Sequence, residues 1–165
     1  MKSLLSIITT SIFIFNTIFI NINTENIYPR IIDAYILAYD AIYNQPENFK
    51  VDYIILDMES YFFADTTYED RQKMINHFNK YNKVIVNSSL FNLKEIGLVD
   101  DLGNITLKNS ELLMIDCIDY TSYDNGIIIK ALNYKSPISA KFYTIKLTIE
   151  NNEWILKSIT LDGVA

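Results

Sequence analysis

Residues 142–161 read FYTIKLTIENNEWILKSITL, and their pattern predicts a β-sheet at the end of the chain. The odd positions from Tyr143 to Ile149 are apolar and the positions between them are polar, which predicts a strand with one buried face. The Asn151–Asn152 pair predicts a tight turn, because asparagine tolerates the left-handed backbone that such turns need. Residues 153–161 then return as the antiparallel partner, so we expect a β-hairpin here.

The residues before this hairpin also carry strand patterns. Residues 112–119 predict one strand and residues 127–134 predict its antiparallel partner. Between them, the Asn125-Gly126 pair suits a type I′ hairpin turn. From residue 98 onward the sequence therefore predicts a four-stranded meander.

Helices alternate with two short strands in the first half of the chain. After Pro29, apolar residues recur at three- and four-residue spacing and predict a helix over 29–44. Short apolar runs predict strands over 51–57, with Asp57 at the exit, and over 83–86.

Capping patterns place two further helices. Thr66 and Glu69 have the spacing of a capping box and predict a second helix over about 67–81. Ser89 has the properties of an N-cap for a third helix, and Gly97 predicts its left-handed end. Helices thus lie early and strands late, which is typical of the α+β class.

The terminal hairpin also carries a resemblance. Residues 142–159 resemble the final hairpin of the cystatin-like and NTF2-like superfamily. This resemblance implies a curved antiparallel sheet with the N-terminal helices packed on its concave face.

A second resemblance covers more of the chain. Residues 53–57, 69–81, 93–98 and 131–140, with the terminal hairpin, are similar to small uncharacterised exported proteins of low-GC Gram-positive bacteria. Some of those proteins are labelled substrate-binding components of peptide ABC transporters. A domain of about 140 residues is too short for the two-lobed clamp of such components, so we give that label little weight.

The N-terminus predicts export. Lys2 is followed by a largely apolar run of about seventeen residues, so residues 1–23 are interpreted as a signal peptide or an N-terminal membrane anchor. Both alternatives stay open, because no A-x-A cleavage pattern follows the run. Residues 24–165 then form a single α+β domain, and we expect it to be secreted or anchored outside the cytoplasm.

Composition excludes several classes of partner and chemistry. The chain has 165 residues and a net charge of −6, which disfavours nucleic acid because nucleic-acid binding needs clustered cations. Motifs for nucleotide binding and for a serine nucleophile are absent, and we expect no cofactor. His77 is the only histidine, which excludes two-histidine metal sites. Cys117 lies in an apolar segment and predicts a buried, inert thiol.

Four side chains are candidates for ligand binding. Asp57 and Glu59 lie where the first strand ends, and Tyr61 follows them, so they could bind a cation or flank an aromatic pocket. The alternative is a turn in which Asp57 caps its own backbone. His77 is the fourth candidate, since its ordinary pKa suits acid–base work; the alternative is a half-exposed helix residue.

Three functions fit these patterns. The first is a non-enzymatic accessory or binding module, exported or anchored to the envelope, with a protein or peptide partner. The second is an NTF2-like small-molecule-binding protein or enzyme with an acidic pocket. The third is a purely structural tethered domain. The space between the first helix and the late sheet distinguishes these functions. A roomy pocket there favours the small-molecule-binding protein or enzyme. A space filled by Tyr35, Tyr39 and Trp154 favours the binding module or the structural domain. The sequence leaves the oligomeric state open.

Overall fold

A computed structural model describes residues 29–46, 51–121 and 125–165. The predicted signal or anchor, residues 1–23, lies outside these ranges. No helix within the described ranges is both long and apolar enough to cross a membrane. The elements are α1 (Ile31–Tyr43), β1 (Tyr53–Leu56), α2 (Tyr68–Phe78), β2 (Val84–Asn87), α3 (Leu90–Glu95), β3 (Ser110–Asp119), β4 (Gly126–Ser136), β5 (Ser139–Glu150) and β6 (Glu153–Val164). Short 3-10 turns occupy Tyr61–Phe63 and Asn79–Tyr81.

The strands form one mixed sheet of six, in the order β2-β1-β3-β4-β5-β6. The predicted meander is confirmed, because β3 to β6 pair in antiparallel fashion. The expectation of a wholly antiparallel sheet was wrong for the first two strands, since β1 pairs in parallel with both β2 and β3. The physical reason is that α2 and α3 each return the chain to the same end of the sheet before the next strand begins.

The helices cover both faces of this sheet. Helices α1 and α2 pack on one face, where Tyr35, Met74 and Leu56 belong to the same core cluster. Helix α3 packs on the opposite face through Leu93, which shares a second cluster with Ile55. The protein is therefore an α+β domain. At β1 it has three layers, with the sheet between α1 and α2 on one side and α3 on the other.

Ion pairs join α1 to α2 in the same order along both helices. They are Arg30 with Asp70 (2.6 Å), Asp33 with Lys73 (2.5 Å) and Asp40 with Lys80 (2.7 Å). Because the residue numbers rise together, the two helices run in the same direction side by side. This arrangement positions the cleft described below.

The start of α2 differs from the prediction by one residue. Thr67 and Asp70 form the capping box, each bonding the backbone N–H of the other. The expected pair, Thr66 and Glu69, does not form it. The Thr66 hydroxyl instead donates to the carbonyl of Phe63 at 2.7 Å and so belongs to the preceding 3-10 turn.

Both predicted ends of α3 are confirmed. The Ser89 side chain accepts a hydrogen bond from the Asn92 N–H at 3.1 Å. Gly97 has a φ of 78°, and the N–H of Leu98 donates to the Leu93 carbonyl at 2.8 Å, as the Schellman motif requires.

The turn of the last hairpin is also confirmed. Asn151 and Asn152 have φ values of 52° and 62°, the left-handed pair of a type I′ turn, and they join β5 directly to β6. The turn predicted at Asn125-Gly126 lies partly outside the described residues, although the strands it joins pair as expected.

Candidate functional site

The carboxyl end of β1 is a position at which the sheet topology favours a binding site. In open sheets with parallel strands, ligands bind where neighbouring connections leave for opposite faces. Here α2 leaves on one face and α3 lies on the other. Asp57, Glu59 and Tyr61 all follow β1 at this edge.

Asp57 lies inside the protein, with 3% of its surface exposed. Its Oδ1 accepts hydrogen bonds from the N–H groups of Glu59 and Ser60, both at 3.1 Å. Its backbone carbonyl accepts from the Tyr39 hydroxyl at 2.8 Å. Burial raises the pKa of the Asp57 carboxyl, and the two N–H donors lower it only in part. The carboxylate therefore shapes the turn after β1, and a ligand-binding role for it stays a prediction.

Glu59 is hydrogen-bonded to the start of α3 at this edge of the sheet. Its Oε2 accepts from the N–H of Ser89 at 2.8 Å, at the start of α3. Next to it, the Asn87 side-chain oxygen accepts from the N–H of Met58 at 3.2 Å. These two hydrogen bonds connect the segments that follow β1 and β2. Ligand binding by Glu59 also stays a prediction.

Tyr61 is the most accessible of the predicted residues, with 76% of its surface exposed. Its ring packs on that of Phe62, with centroids 4.0 Å apart. The carbonyl of Phe62 accepts a hydrogen bond from the buried Tyr35 at 3.2 Å, which holds this aromatic pair against α1.

His77 lies elsewhere. It is ten residues after the N-cap Thr67, so it lies about 15 Å along the helix axis from the start of α2. The structure therefore keeps Asp57, Glu59 and Tyr61 together and separates His77 from them.

Asp40 is the centre of the polar network around His77. One oxygen, Oδ1, lies 3.0 Å from His77 Nε2 and 2.7 Å from Lys80 Nζ, and it accepts from the Tyr81 hydroxyl at 2.6 Å. Burial raises the pKa of Asp40, but hydrogen bonds from Lys80, Tyr81 and His77 outweigh it and hold the pKa below the ordinary value. The network fixes the C-terminal end of α2 to α1.

A cleft lies on the outer flank of α1. Its volume is about 780 Å³, and α1, α2 and the turn between β5 and β6 form its walls. Ile36 and Leu37 of α1 supply an apolar floor, and His77 of α2 and Trp154 of the last hairpin also line the cleft. A cleft of this size is in the range that takes small molecules or a short peptide segment.

Trp154 is held in place at one edge of the cleft. Its indole N–H donates to the backbone carbonyl of Arg30 at 3.1 Å. This bond ties the tip of the last hairpin to the start of α1, so the ring is a fixed part of the wall. It is also the only tryptophan of the chain.

The charges around the cleft are unequally matched. Arg30 pairs with Asp70, and Lys73 pairs with Asp33, so both cations are compensated. Glu153 also lines the cleft but forms no ion pair within the described part of the chain. Both cations that line the cleft are therefore engaged by carboxylates of the protein itself.

Sequence reasoning found only part of this site. His77 was a predicted site residue, whereas Trp154 was expected only to help fill the space between the first helix and the late sheet. Arg30 and Trp154 are 124 positions apart, and no local pattern signals that they meet. The one available signal was a lone tryptophan beside a hairpin turn that a helix could reach.

Two further observations bear on chemistry. No group of three or more His, Cys, Asp and Glu side chains in residues 29–46, 51–121 and 125–165 is placed to hold a metal ion. Cys117 is exposed, so the expectation of a buried thiol was wrong; the pairing of β3 with β4 shifts at this position.

The chain matches no family model, no curated protein and no solved structure.

Proposed function

We propose that this protein is a non-enzymatic accessory or binding module, exported or anchored to the cell envelope, that holds a protein or peptide segment in the cleft beside α1. The observation that carries the proposal is the cleft itself, with its apolar floor of Ile36 and Leu37 beneath a polar rim. Binding sites combine an apolar base with a few polar groups in this way.

The packing between α1 and the sheet favours binding on the outside. Tyr35 and Tyr39 are 2% and 0% exposed, so the space beneath the helix is filled. These two side chains support a filled space rather than an internal cone of the NTF2-like type. The cleft lies instead on the other side of α1, where a partner segment has direct access.

The rim suits a peptide backbone. The exposed amides of Asn76 and Asn152 line the cleft and make no hydrogen bond within the described ranges. Each amide offers both donors and an acceptor, which match the N–H and C=O groups of an extended peptide.

The resemblance to the cystatin-like or NTF2-like fold stays a prediction. It is supported by the antiparallel strands β3 to β6 with α1 packed across them. The parallel strands β1 and β2 extend the sheet beyond that pattern.

The second function, a small-molecule-binding protein or enzyme, is favoured by one observation. His77 gives the cleft an ionisable wall. Asp57, the buried carboxylate, does not line the cleft. The third function, a purely structural domain, does not require an open cleft.

The leader places the cleft near the membrane if it acts as an anchor. Six peptide units separate residue 23 from Pro29, which lines the cleft, and they span at most about 20 Å. An anchored protein would then present the cleft to segments of envelope proteins close to the membrane surface.

Selection from a displayed random-peptide library tests the proposal. We expect enriched peptides that lose about 10-fold in affinity for the variant Asn76→Tyr, which fills the cleft from an exposed position. Asn79→Tyr is the matched control, because Asn79 is exposed just after α2 and does not line the cleft. No enrichment, or equal loss with both variants, would contradict the proposal.

A further inference from the structure

We infer that the neutral ring of His77 accepts a hydrogen bond from a backbone N–H of the bound peptide, and that protonation of this ring in mild acid releases the peptide. This inference rests on the proposed function. It adds a group that contacts the peptide and a condition that controls binding.

Asp40 determines which ring nitrogen of His77 carries a hydrogen. The Asp40 carboxylate is ionised in mild acid, because its pKa lies below the ordinary value, and an ionised carboxylate only accepts hydrogen bonds. Its Oδ1 lies 3.0 Å from Nε2 of His77, so this contact is a hydrogen bond when Nε2 carries the hydrogen. In a neutral imidazole the other nitrogen, Nδ1, is then an acceptor.

The acceptor Nδ1 is open to a ligand. Within the described ranges the polar contacts of His77 are both made by Nε2, and Nδ1 is neither hydrogen-bonded nor buried. The side chain is 31% exposed, and the residue lines the cleft. Of the two ring nitrogens, Nδ1 is therefore the one that a bound segment can reach.

Backbone chemistry makes a peptide N–H the matching donor. Every residue of a segment except proline offers one N–H, which needs an acceptor once it leaves water. A protonated imidazole carries a hydrogen on both nitrogens and has no acceptor left. Two N–H donors would then face each other, and the buried peptide N–H would stay unpaired.

Charged and titratable groups near the ring come from three elements. They are Asp33 and Asp40 on α1, Lys73 on α2, and Lys80 and Tyr81 in the 3-10 turn that follows. Lys73 is engaged by Asp33, and Lys80 lies 2.7 Å from Oδ1 of Asp40 and 2.8 Å from Nε2. Two donors, Nε2 and Lys80, thus converge on one carboxylate oxygen.

The titration of these groups leaves His77 as the switch. Burial, and next the hydrogen bond to Asp40, raise the pKa of Tyr81, so its hydroxyl stays protonated. Histidine is the side chain that ordinarily changes charge between about pH 5 and 8, and His77 is the only histidine of the chain. Binding that changes over this range therefore reports on one residue.

Isothermal titration calorimetry of the full chain at about pH 7.5 and pH 5.5 tests the inference. The probe is a library-selected peptide that lacks histidine and has its termini acetylated and amidated. We expect the wild type to bind it about 10-fold more weakly at the lower pH. The variant His77→Gln does not titrate in this range, so its two affinities should agree within about 2-fold.

A relocated histidine is the matched control. Asn79 is exposed just after α2 and does not line the cleft. The double variant His77→Gln, Asn79→His therefore gains the same positive charge in acid, close to the cleft but outside it. Its affinity should not depend on pH.

Nuclear magnetic resonance of the wild type checks the ring directly. The only histidine gives one set of ring nitrogen signals, and we expect the proton on Nε2 at about pH 7.5. A proton on Nδ1 instead would overturn the inference, since Nδ1 could not then accept.

The calorimetric outcomes separate the two proposals. If the wild type binds equally well or more tightly in acid, the cleft binds peptides but the inferred role of His77 is wrong. A loss in the double variant equal to that of the wild type would assign the effect to charge alone and would also overturn it. If no peptide binds at either pH, the proposed function itself fails.

Discussion

Replacing Asp40 by asparagine should remove the main polar link between α1 and α2. The substitution keeps the size of the side chain but removes the charge that Lys80 and His77 approach and that the Tyr81 hydroxyl donates to. A hydrogen bond to a charged group contributes about 1.5–3 kcal/mol, and exposure of the pair lowers this value. Since 22% of the Asp40 side chain and 45% of the Lys80 side chain are exposed, we expect a loss of about 1.5 kcal/mol at pH 7.

Urea unfolding followed by circular dichroism measures this loss. With an m-value of about 1.5 kcal/mol/M, the midpoint should fall by about 1 M. Asp33→Asn is the matched control on the same helix, because its single ion pair with Lys73 is more exposed. That pair should contribute at most about 0.5 kcal/mol.

The pH dependence of this difference follows from the lowered pKa of Asp40. A lowered folded-state pKa means that the carboxylate stabilises the fold fully above its unfolded value of about 3.9. This contribution is lost as the pH falls through the lower folded value. The gap between the wild type and Asp40→Asn should therefore stay constant from pH 7 to about 5 and close below about pH 4. A gap that persists in acid, or an equal loss with Asp33→Asn, would show that the Asp40 carboxylate does not stabilise the contact between α1 and α2.

Two further substitutions test the backbone and the core. Gly103→Ala should lower the free energy of unfolding by about 2 kcal/mol, because φ is +85° and the new Cβ would lie 2.9 Å from Pro137. Gly97→Ala, at φ +78°, meets nothing within 4 Å and should lower it by about 1 kcal/mol. Thermal unfolding compares the two variants, and equal losses would show that the contact with Pro137 is not destabilising. Tyr39→Phe should cost about 1.5 kcal/mol, because it removes the donor to the buried carbonyl of Asp57; an unchanged free energy of unfolding would show that this bond is not stabilising.

Local signals account for what the sequence predicted well. The caps at Ser89 and Gly97 and the Asn151–Asn152 turn depend on residues within a few positions of one another, and all three are confirmed. Thr66 and Thr67 show the limit of such signals. Both threonines are followed three residues later by an acidic residue, so spacing alone cannot choose the register.

Pairing between distant segments was harder to predict. β1 and β2 have four residues each, and a short apolar strand carries no mark of whether its neighbour runs parallel or antiparallel. The same limit applies to the cleft. Its walls come from α1, α2 and the last hairpin, so its composition becomes visible only when these elements pack.

The four predicted site residues do not form one site, because α2 separates His77 from the residues that follow β1. Asp57 and Glu59 lie at a strand exit, which is often a site, but here both are engaged by backbone N–H groups. His77 follows Tyr61 by only sixteen positions, yet α2 carries it to the other end of the sheet. Sequence distance along a helix that crosses the sheet does not indicate proximity.

Acrylamide quenching of tryptophan fluorescence shows whether a bound peptide occupies the cleft. Trp154 is the only tryptophan and lines the cleft, so the signal has one source at the proposed site. We predict that a saturating library-selected peptide lowers the quenching constant at least about 2-fold, because a bound segment covers the exposed part of the ring. A quenching constant that does not change at saturation would show that the peptide binds elsewhere and would contradict the proposed role of the cleft.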